Sequence, residues 1–233
     1  MHRTIEPTIL YFGTPVALIS TLNEDGSPNL APMSSAWWLG WTCMLGLGGT
    51  GQTSDNLIRT RQCVINLPSA SLVSNVDRLA MTTGKKAVPD RKREWGYRYE
   101  SDKFRLAGFT PVASETVAPP RVQECAVQME GCVHTFHAFG KNVNAYAFEV
   151  HINRLHVDQD ILMGDGHRPH VDPVKWQPLI MSFCRFFGLS GEVHASRLAD
   201  SNFMKFVQKG SGTQPAPAPR HQEAEVINGQ PIR

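Results

Sequence analysis

The sequence has no Cys-x-x-Cys pair, and its five cysteines, Cys43, Cys63, Cys125, Cys132 and Cys184, are odd in number and widely spaced. A disulfide framework calls for an even set in an oxidising compartment, so the expectation is buried free thiols in a reducing one. No stretch approaches the roughly 18 consecutive apolar residues of a membrane-spanning helix. Met1 to Glu6 carry charge early and are not followed by an apolar segment with a small-residue cleavage site. The protein is therefore expected in the cytoplasm, away from membranes. An excess of one charge is missing too: 23 basic residues against 21 acidic ones leave +2. Lys85-Lys86 and Arg91-Lys92-Arg93 form the densest basic group, and Asp90 and Glu94 dilute it. A surface that coats phosphate backbones is far more basic, so nucleic acid is not an expected partner. Internal repeats are absent.

What remains is a globular composition, 41% hydrophobic and 19% charged over 233 residues, long enough to bury a sizeable core. Pro15 to Leu22 reads as a strand of largely β-branched and aliphatic residues. Asn23-Glu24-Asp25-Gly26 follows as a tight hairpin turn, because glycine tolerates positive φ. Ser27 to Trp38 resumes an extended pattern, with Pro28 and Pro32 placing it at a sheet edge or a bulge. Trp41 to Leu47 and Gln62 to Leu67 read as further strands. A glycine-rich turn at 48–52 and a short helix over 53–61 lie between them. Ser71 to Thr82 predicts a helix from the spacing of Leu72, Val76 and Leu79. Residues 83–122, rich in glycine, proline and aromatics, read as an excursion with short helices. Strand returns over 125–133 and over 145–157, where a change of parity predicts a bend or bulge near Asn153-Arg154. Residues 209–233 contain Gln214-Pro-Ala-Pro-Ala-Pro-Arg220 and read as a proline-rich tail, leaving one domain over 1–208. Strands dominate without strict alternation with helices. The fold class expected is mainly β with helical excursions, an antiparallel Greek-key-like barrel.

Gly46-Leu-Gly48-Gly49-Thr50-Gly51 matches Gly-x-Gly-x-x-Gly after a strand and before a helix, the context of a dinucleotide-binding turn. That fold also calls for an acidic residue about 20 residues further on to hold the ribose. The next strand instead runs out in Asn66-Leu67-Pro68-Ser69, which argues against a Rossmann-type dehydrogenase. The helix start is still a good place for an anion, because its first N–H groups lack partners and Thr50, Gln52, Thr53, Ser54 and Asn56 add polar side chains. A capping role for Thr53 or Ser54 is compatible with this.

Taken together, Pro15-x-x-Leu18-Ile19-Ser20-Thr21, Asp25-Gly26, Asn29-Leu30-Ala31-Pro32-Met33-Ser34-Ser35, Thr53-x-x-Asn56-Leu57 and Cys63-Val64-Ile65-Asn66-Leu67 resemble the flavin reductase-like domain in order and spacing. Glu124-Cys125 and Phe148-Glu149-Val150-His151 fit its second half, and the likeness covers about residues 8–200. The resemblance implies an FMN-binding split β-barrel in a homodimer, with the flavin near the subunit interface. It puts Asn29, Ala31, Met33, Ser34, Ser35 and Ala36 along the flavin ring, and Thr50, Gly51, Gln52, Thr53 and Asn56 at the phosphate or ribityl chain. Relatives often carry a basic residue just before the threonine. Here Gln52 stands there, and Arg59 or Arg61 could compensate. The implied activity is oxidoreduction with NADH or NADPH as donor and free flavin, a partner oxygenase or another molecule as acceptor. No separate catalytic residue is required, since a flavin brings its own chemistry. A flavin- or ligand-binding barrel without turnover is the alternative of a different class.

His151 has two readings: a lining residue of the nicotinamide pocket, as in some relatives, or a half-buried strand histidine. Trp37, Trp38 and Trp41 are expected mainly to pack the barrel and the dimer surface. Cys132, His134 and His137 lie close in sequence, as do His167 and His170 beside the Asp165-Gly166 turn. On a strand, however, His137 would face away from Cys132 and His134, and no second pair stands at zinc spacing. No metal is expected.

Overall fold

The computed structural model describes residues 2–141, 143–164, 169–194 and 196. Met1 to Glu192 form one compact unit, and Val193 to Arg233 belong to a second. The expected boundary at 208, the proline-rich tail and the Asp165-Gly166 turn lie outside the described residues.

The chain enters on β1 (Phe12–Pro15) and continues through β2 (Ala17–Leu22), β3 (Pro28–Met33), β4 (Ala36–Leu39) and β5 (Thr42–Gly48). Helix α1 (Gln52–Thr60) follows and leads into β6 (Gln62–Leu67). The excursion comes next. It holds α2 (Val73–Asp77), β7 (Thr82–Thr83), α3 (Asp90–Glu94), β8 (Arg98–Tyr99), α4 (Lys103–Ala107), β9 (Pro111–Val112) and β10 (Arg121–Val122). Two long strands, β11 (Val127–Ala138) and β12 (Ala145–Val157), return to the main sheet. Short pairs close the unit: β13 (Leu162–Met163) with β14 (His170–Val171), and β15 (Ile180–Ser182) with β16 (Arg185–Phe187).

The main sheet runs β3-β2-β6-β11-β12-β5-β4, and every pairing in it is antiparallel. Helix α1 therefore joins two strands, β5 and β6, that are not neighbours, so the dinucleotide-fold reading of the glycine turn does not hold. Ala17 and Ile19 of β2, Ala36 of β4, Leu45 of β5, Ile65 of β6 and Phe148 of β12 share one buried cluster. Inner faces from both ends of the strand order thus meet, as in a sheet rolled into a barrel and split between β3 and β4. Pro28 and Pro32 sit on edge strand β3, where a missing N–H costs no ladder bond. The turn after β2 closes with Asn23 N–H donating to the Ser27 carbonyl at 2.9 Å and Gly26 at φ +80°.

Strand β2 is buried on both faces, because Leu18, with Val16 just before the strand, joins Leu30 in a second core with Val76, Leu79, Phe104, Ala107 and Phe109. The excursion is thus a second layer packed on the barrel wall. Two buried polar side chains fasten it there. Asn66 donates to the Leu18 carbonyl at 3.1 Å and accepts the Val122 N–H at 2.9 Å. Glu130 is fully buried and accepts the N–H groups of Glu115 (2.9 Å) and Thr116 (2.6 Å), the Thr116 hydroxyl and His156 Nε2. Burial pushes the Glu130 carboxyl up, but these donors outweigh it and hold it below the usual carboxylate range.

Two expectations need correction. The helix predicted over 71–82 is only α2, preceded by a 3-10 turn at Ala70–Leu72. Ser, Asn, Asp and Thr side chains compete for backbone groups here. The Thr82 hydroxyl takes the Leu79 carbonyl, and Met81 at φ +57° turns the chain into β7. The strand expected over 125–133 instead runs from 127 to 138, because β12 continues to pair with it beyond the end of β6. The expected bulge is present: Glu130 pairs with Arg154 and Gly131 with Ile152, leaving Asn153 as the extra residue. Cys43, Cys63 and Cys125 are buried free thiols as expected, whereas Cys132 is half-buried and Cys184 exposed.

Candidate functional site

A cavity of about 830 Å³ opens beside the split, within the ~300–1,000 Å³ range of ligand pockets. One wall is the end of β3 and its link to β4, Ala31 to Ser35. A second is Gly46 to Gly48 at the end of β5, with Gly51 to Ser54 at the start of α1. The excursion supplies the third, including Thr83, Gly84, Lys92, Trp95, Tyr97 and Lys103. The β1–β15–β16 sheet adds Met181 and Phe186 at the rim, with Tyr11 just before β1 and Cys184 in the turn between β15 and β16.

The two facing segments are held together by backbone. Gly46 N–H donates to the Ser35 carbonyl at 2.8 Å, and a Cβ at Gly46 would stand 3.2 Å from that of Ser35. Ser34 is buried, and the Ser35 hydroxyl lies 3.3 Å from that of Tyr11. At the other end, Gly51 caps α1 with extended backbone and no side-chain bond. The first N–H groups of the helix are therefore uncapped, and Gly51, Gln52, Thr53 and Ser54 all border the cavity.

The polar side chains expected at this turn divide sharply by role. Thr53 and Asn56 are buried and turn inward. Asn29 Nδ2 donates to Thr53 Oγ1 at 3.0 Å. Asn56 Nδ2 donates to Thr21 Oγ1 and Asn23 Oδ1, both at 3.0 Å, pinning α1 to the β2–β3 turn. The Ser54 hydroxyl donates to the Gly48 carbonyl at 2.8 Å and closes the glycine turn. Of the residues singled out in the sequence, Ala31, Met33, Ser34, Ser35, Gly51, Gln52 and Thr53 line the cavity. Asn29 and Asn56 brace it from behind, Ala36 belongs to the barrel core, and Thr50 is exposed outside it. His151 is not brought to the cavity: it is exposed on β12, where Glu149 and His134 contact it. Trp38 packs against the barrel core, whereas Trp37 and Trp41 remain exposed.

The positive charge comes from an unexpected direction. Arg59 is spent on the Leu22 carbonyl and Asn56 Oδ1, and Arg61 lies 4.7 Å over the Phe136 ring. Neither lines the cavity. Lys92 and Lys103 do, from α3 and α4. A Cβ on Gly51 would stand 3.8 Å from Lys92 Nζ, so that ammonium faces the helix start. Neither lysine has an ion-pair partner among the described residues, whereas neighbouring Lys85 pairs with Asp55. Lys103 is 4% exposed. Burial, then repulsion from Lys92, pushes it down to about 8. Lys92 is lowered by burial and by Lys85. The two lysines are crowded beside uncapped N–H groups, neither is in an ion pair among the described residues, and Asp55 and Glu100 offset them only in part, so this end of the cavity is positive. Sequence adjacency to α1 could not reveal them, since both lie in the excursion.

Fold and cavity together define a split-barrel protein with a pocket beside the split that two lysines line. Residues 9–185 match the flavin reductase like domain, and the chain belongs to that family. An uncharacterized protein, YdfE, of Bacillus subtilis (strain 168) is 40% identical over 191 residues, covering 82% of this chain and 91% of that one. Flavoredoxin of Desulfovibrio vulgaris (Miyazaki F) is similar in structure at a TM-score of 0.69 and 21% identity, covering 86% of this chain and all of that one. Nitrilotriacetate monooxygenase component B from Bacillus cereus is similar at a TM-score of 0.66 and 17% identity, covering 84% and 99%. The family makes the protein a flavin-related oxidoreductase, and the solved neighbours share its fold.

Proposed function

We propose that the protein binds FMN in this cavity and passes electrons from NADH or NADPH to free flavin or another acceptor, a partner oxygenase among the candidates. The observation that carries the reading is the meeting of an uncapped helix start with Lys92 and Lys103 at one end of the cavity. A terminal phosphate dianion matches that donor set. The residues fit the rest of the cofactor as well. Ala31, Gly46 and Gly48 leave a wall of small residues and backbone against which a flat ring can lie. A bound flavin supplies hydride acceptance and one- or two-electron transfer. The chain's part is to grip the phosphate, fix the ring between the end of β3 and the end of β5, and limit water with Trp95 and Tyr97.

A homodimer belongs to this reading. Edge strand β4 and the turn after it expose Trp37 (59%), Leu39 (77%) and Trp41 (47%), aromatic and aliphatic surface of the kind found in the cores of interfaces.

The test is spectroscopic. The purified protein, loaded with FMN, is expected to show a yellow flavin spectrum that bleaches when NADH or NADPH is added without oxygen. Failure to take up FMN defeats the proposal. A loaded protein that stays oxidised with both donors supports the alternative of a binding barrel without turnover.

A further inference from the structure

Outside the cavity, β11 and β12 carry a second cluster of polar side chains. Residues two apart on a strand share a face, so Glu149 and His151 project together from β12. Across the ladder the register steps: Val133 pairs with Val150, but Thr135 pairs with Glu149, leaving His134 as an extra residue. A bulge of this kind sets two residues opposite one and re-aims a side chain. His134 and Thr135 are accordingly both exposed, and His134 comes round onto the face of Glu149. Its ring stacks on that of His151, with centroids 4.5 Å apart and planes at 10°. His151 Nε2 lies 2.9 Å from Glu149 Oε1. One ligand atom from each of the three residues lies within 4.8 Å of the other two.

We propose that His134, Glu149 and His151 bind one late first-row divalent cation of the Zn²⁺, Co²⁺ or Ni²⁺ class, with water in the remaining positions. Two imidazoles and a carboxylate are the donors such ions take, whereas Ca²⁺ and Mg²⁺ call for oxygen donors alone. The platform is stiff, because the ligands stand on adjacent strands in the middle of the longest ladder of the fold. Both histidines are exposed, so an ion reaches the site from solvent and keeps open positions. The Glu149–His151 hydrogen bond joins two potential ligand atoms, and an ion bound by both would replace the proton between them. Cys132, opposite His151, stays out of the set, since its sulfur holds the Asn153 amide at 3.3 Å. The cluster weighed in the sequence (Cys132, His134, His137) is therefore not the one the fold assembles. This proposal does not depend on the flavin reading.

The test uses the full chain without an affinity tag, stripped of metal with a chelator. Zn²⁺ is titrated by calorimetry at neutral pH, and Co²⁺ by its visible spectrum. One-to-one binding is expected, with H134A and H151A each weakening it at least ~10-fold while far-UV circular dichroism stays that of the parent. E149Q should weaken it and shift the Co²⁺ spectrum. Binding that survives both histidine substitutions would put the ion elsewhere and overturn the assignment, as would no binding at millimolar ion. If either alanine variant does not fold, H134Q and H151Q replace them and are read in the same way.

Discussion

Lys103 should act against stability and in favour of ligand binding, and the two effects can be separated by pH. Its ammonium sits at about 8 in the fold against an ordinary 10.5. Burial is the larger cause and Lys92 the second. At 1.36 kcal/mol per tenfold, that difference costs the folded protein on the order of 3 kcal/mol wherever both states are protonated, below about pH 8. Between about 8 and 10.5 the unfolded chain holds the proton more tightly than the fold, so stability should rise with pH over that window. The substitution K103M removes the charge and keeps most of the stem. Without FMN, urea unfolding at pH 7 should show the variant more stable by about 2–3 kcal/mol, and the gain should vanish above pH 10.5. FMN affinity should move the other way. Losing a charge-assisted bond to phosphate costs roughly 1.5–3 kcal/mol, or about 10–150-fold in Kd by flavin fluorescence titration. Wild-type affinity should be flat between about pH 7, where the phosphate is a dianion, and about pH 8, and fall above that, because the bound phosphate draws the proton onto Lys103. A variant that is less stable than the parent and binds FMN equally well would refute the placement of this charge at the phosphate.

Three further outcomes follow from other contacts. E130Q should destabilise the protein by about 2–3 kcal/mol in urea, since an amide nitrogen would then face donors at Glu115 and Thr116. Because the Glu130 carboxyl is lowered in the fold, its stabilisation is present above the ordinary carboxylate range and lost as pH falls through the lowered value; the variant's stability should therefore depend less on acid pH, and an unchanged acid profile would contradict the clasp. G84A should weaken FMN binding with little loss of fold, because a Cβ there would stand 2.6 Å from Asn29 Oδ1 and 3.0 Å from Gln52 Cγ, pushing the excursion off the cavity. Thiol labelling of the native protein should reach exposed Cys184 at the cavity rim and slow when FMN is bound; burial pushes Cys43 up to about 12 and raises Cys63 and Cys125 as well, so mass spectrometry showing those three labelled first would reject the packing described.

What the sequence made legible was whatever depends on neighbours along the chain. Gln62–Leu67 and Ala145–Val157 are read to the residue, because a compact, mostly apolar run and an alternation that breaks once are local patterns. The bulge at Asn153 is visible as a break in parity. The prolines of β3 announce an edge because the missing N–H is a property of the residue itself. The predicted helix over 71–82 fails where periodicity competes with side-chain capping, and Leu79 is buried in the second core from a turn rather than a helix. Likewise strand spacing put His134 on one face with Cys132 and away from His137. Only the cross-strand register, stepped by a bulge, reveals its partners as Glu149 and His151. Local spacing carries no information about which residue stands across a ladder.

The cavity follows the same logic and explains its own missing charge. The end of β3 and the start of α1 were recognisable because each is one continuous segment with its polar residues in order. Resemblance then drew attention to Gln52, where a cation was wanted, and the nearest arginines along the chain proved to be engaged elsewhere. Lys103 reaches the cavity because Phe104 and Ala107, its neighbours on α4, anchor that helix in the second core against Leu18 and Leu30. Lys92 reaches it from α3, with its ammonium close to Gly51 at the start of α1. The grip on a phosphate is thus tied to the packing of the excursion on the barrel wall. Loosening the second core, as by truncating Phe104, should weaken ligand binding without touching any residue of the phosphate turn. Truncating Ile65 in the barrel core to a similar loss of stability should affect binding less. Comparing FMN affinities of F104A and I65A would test whether the excursion is a working wall of the site or only a cover.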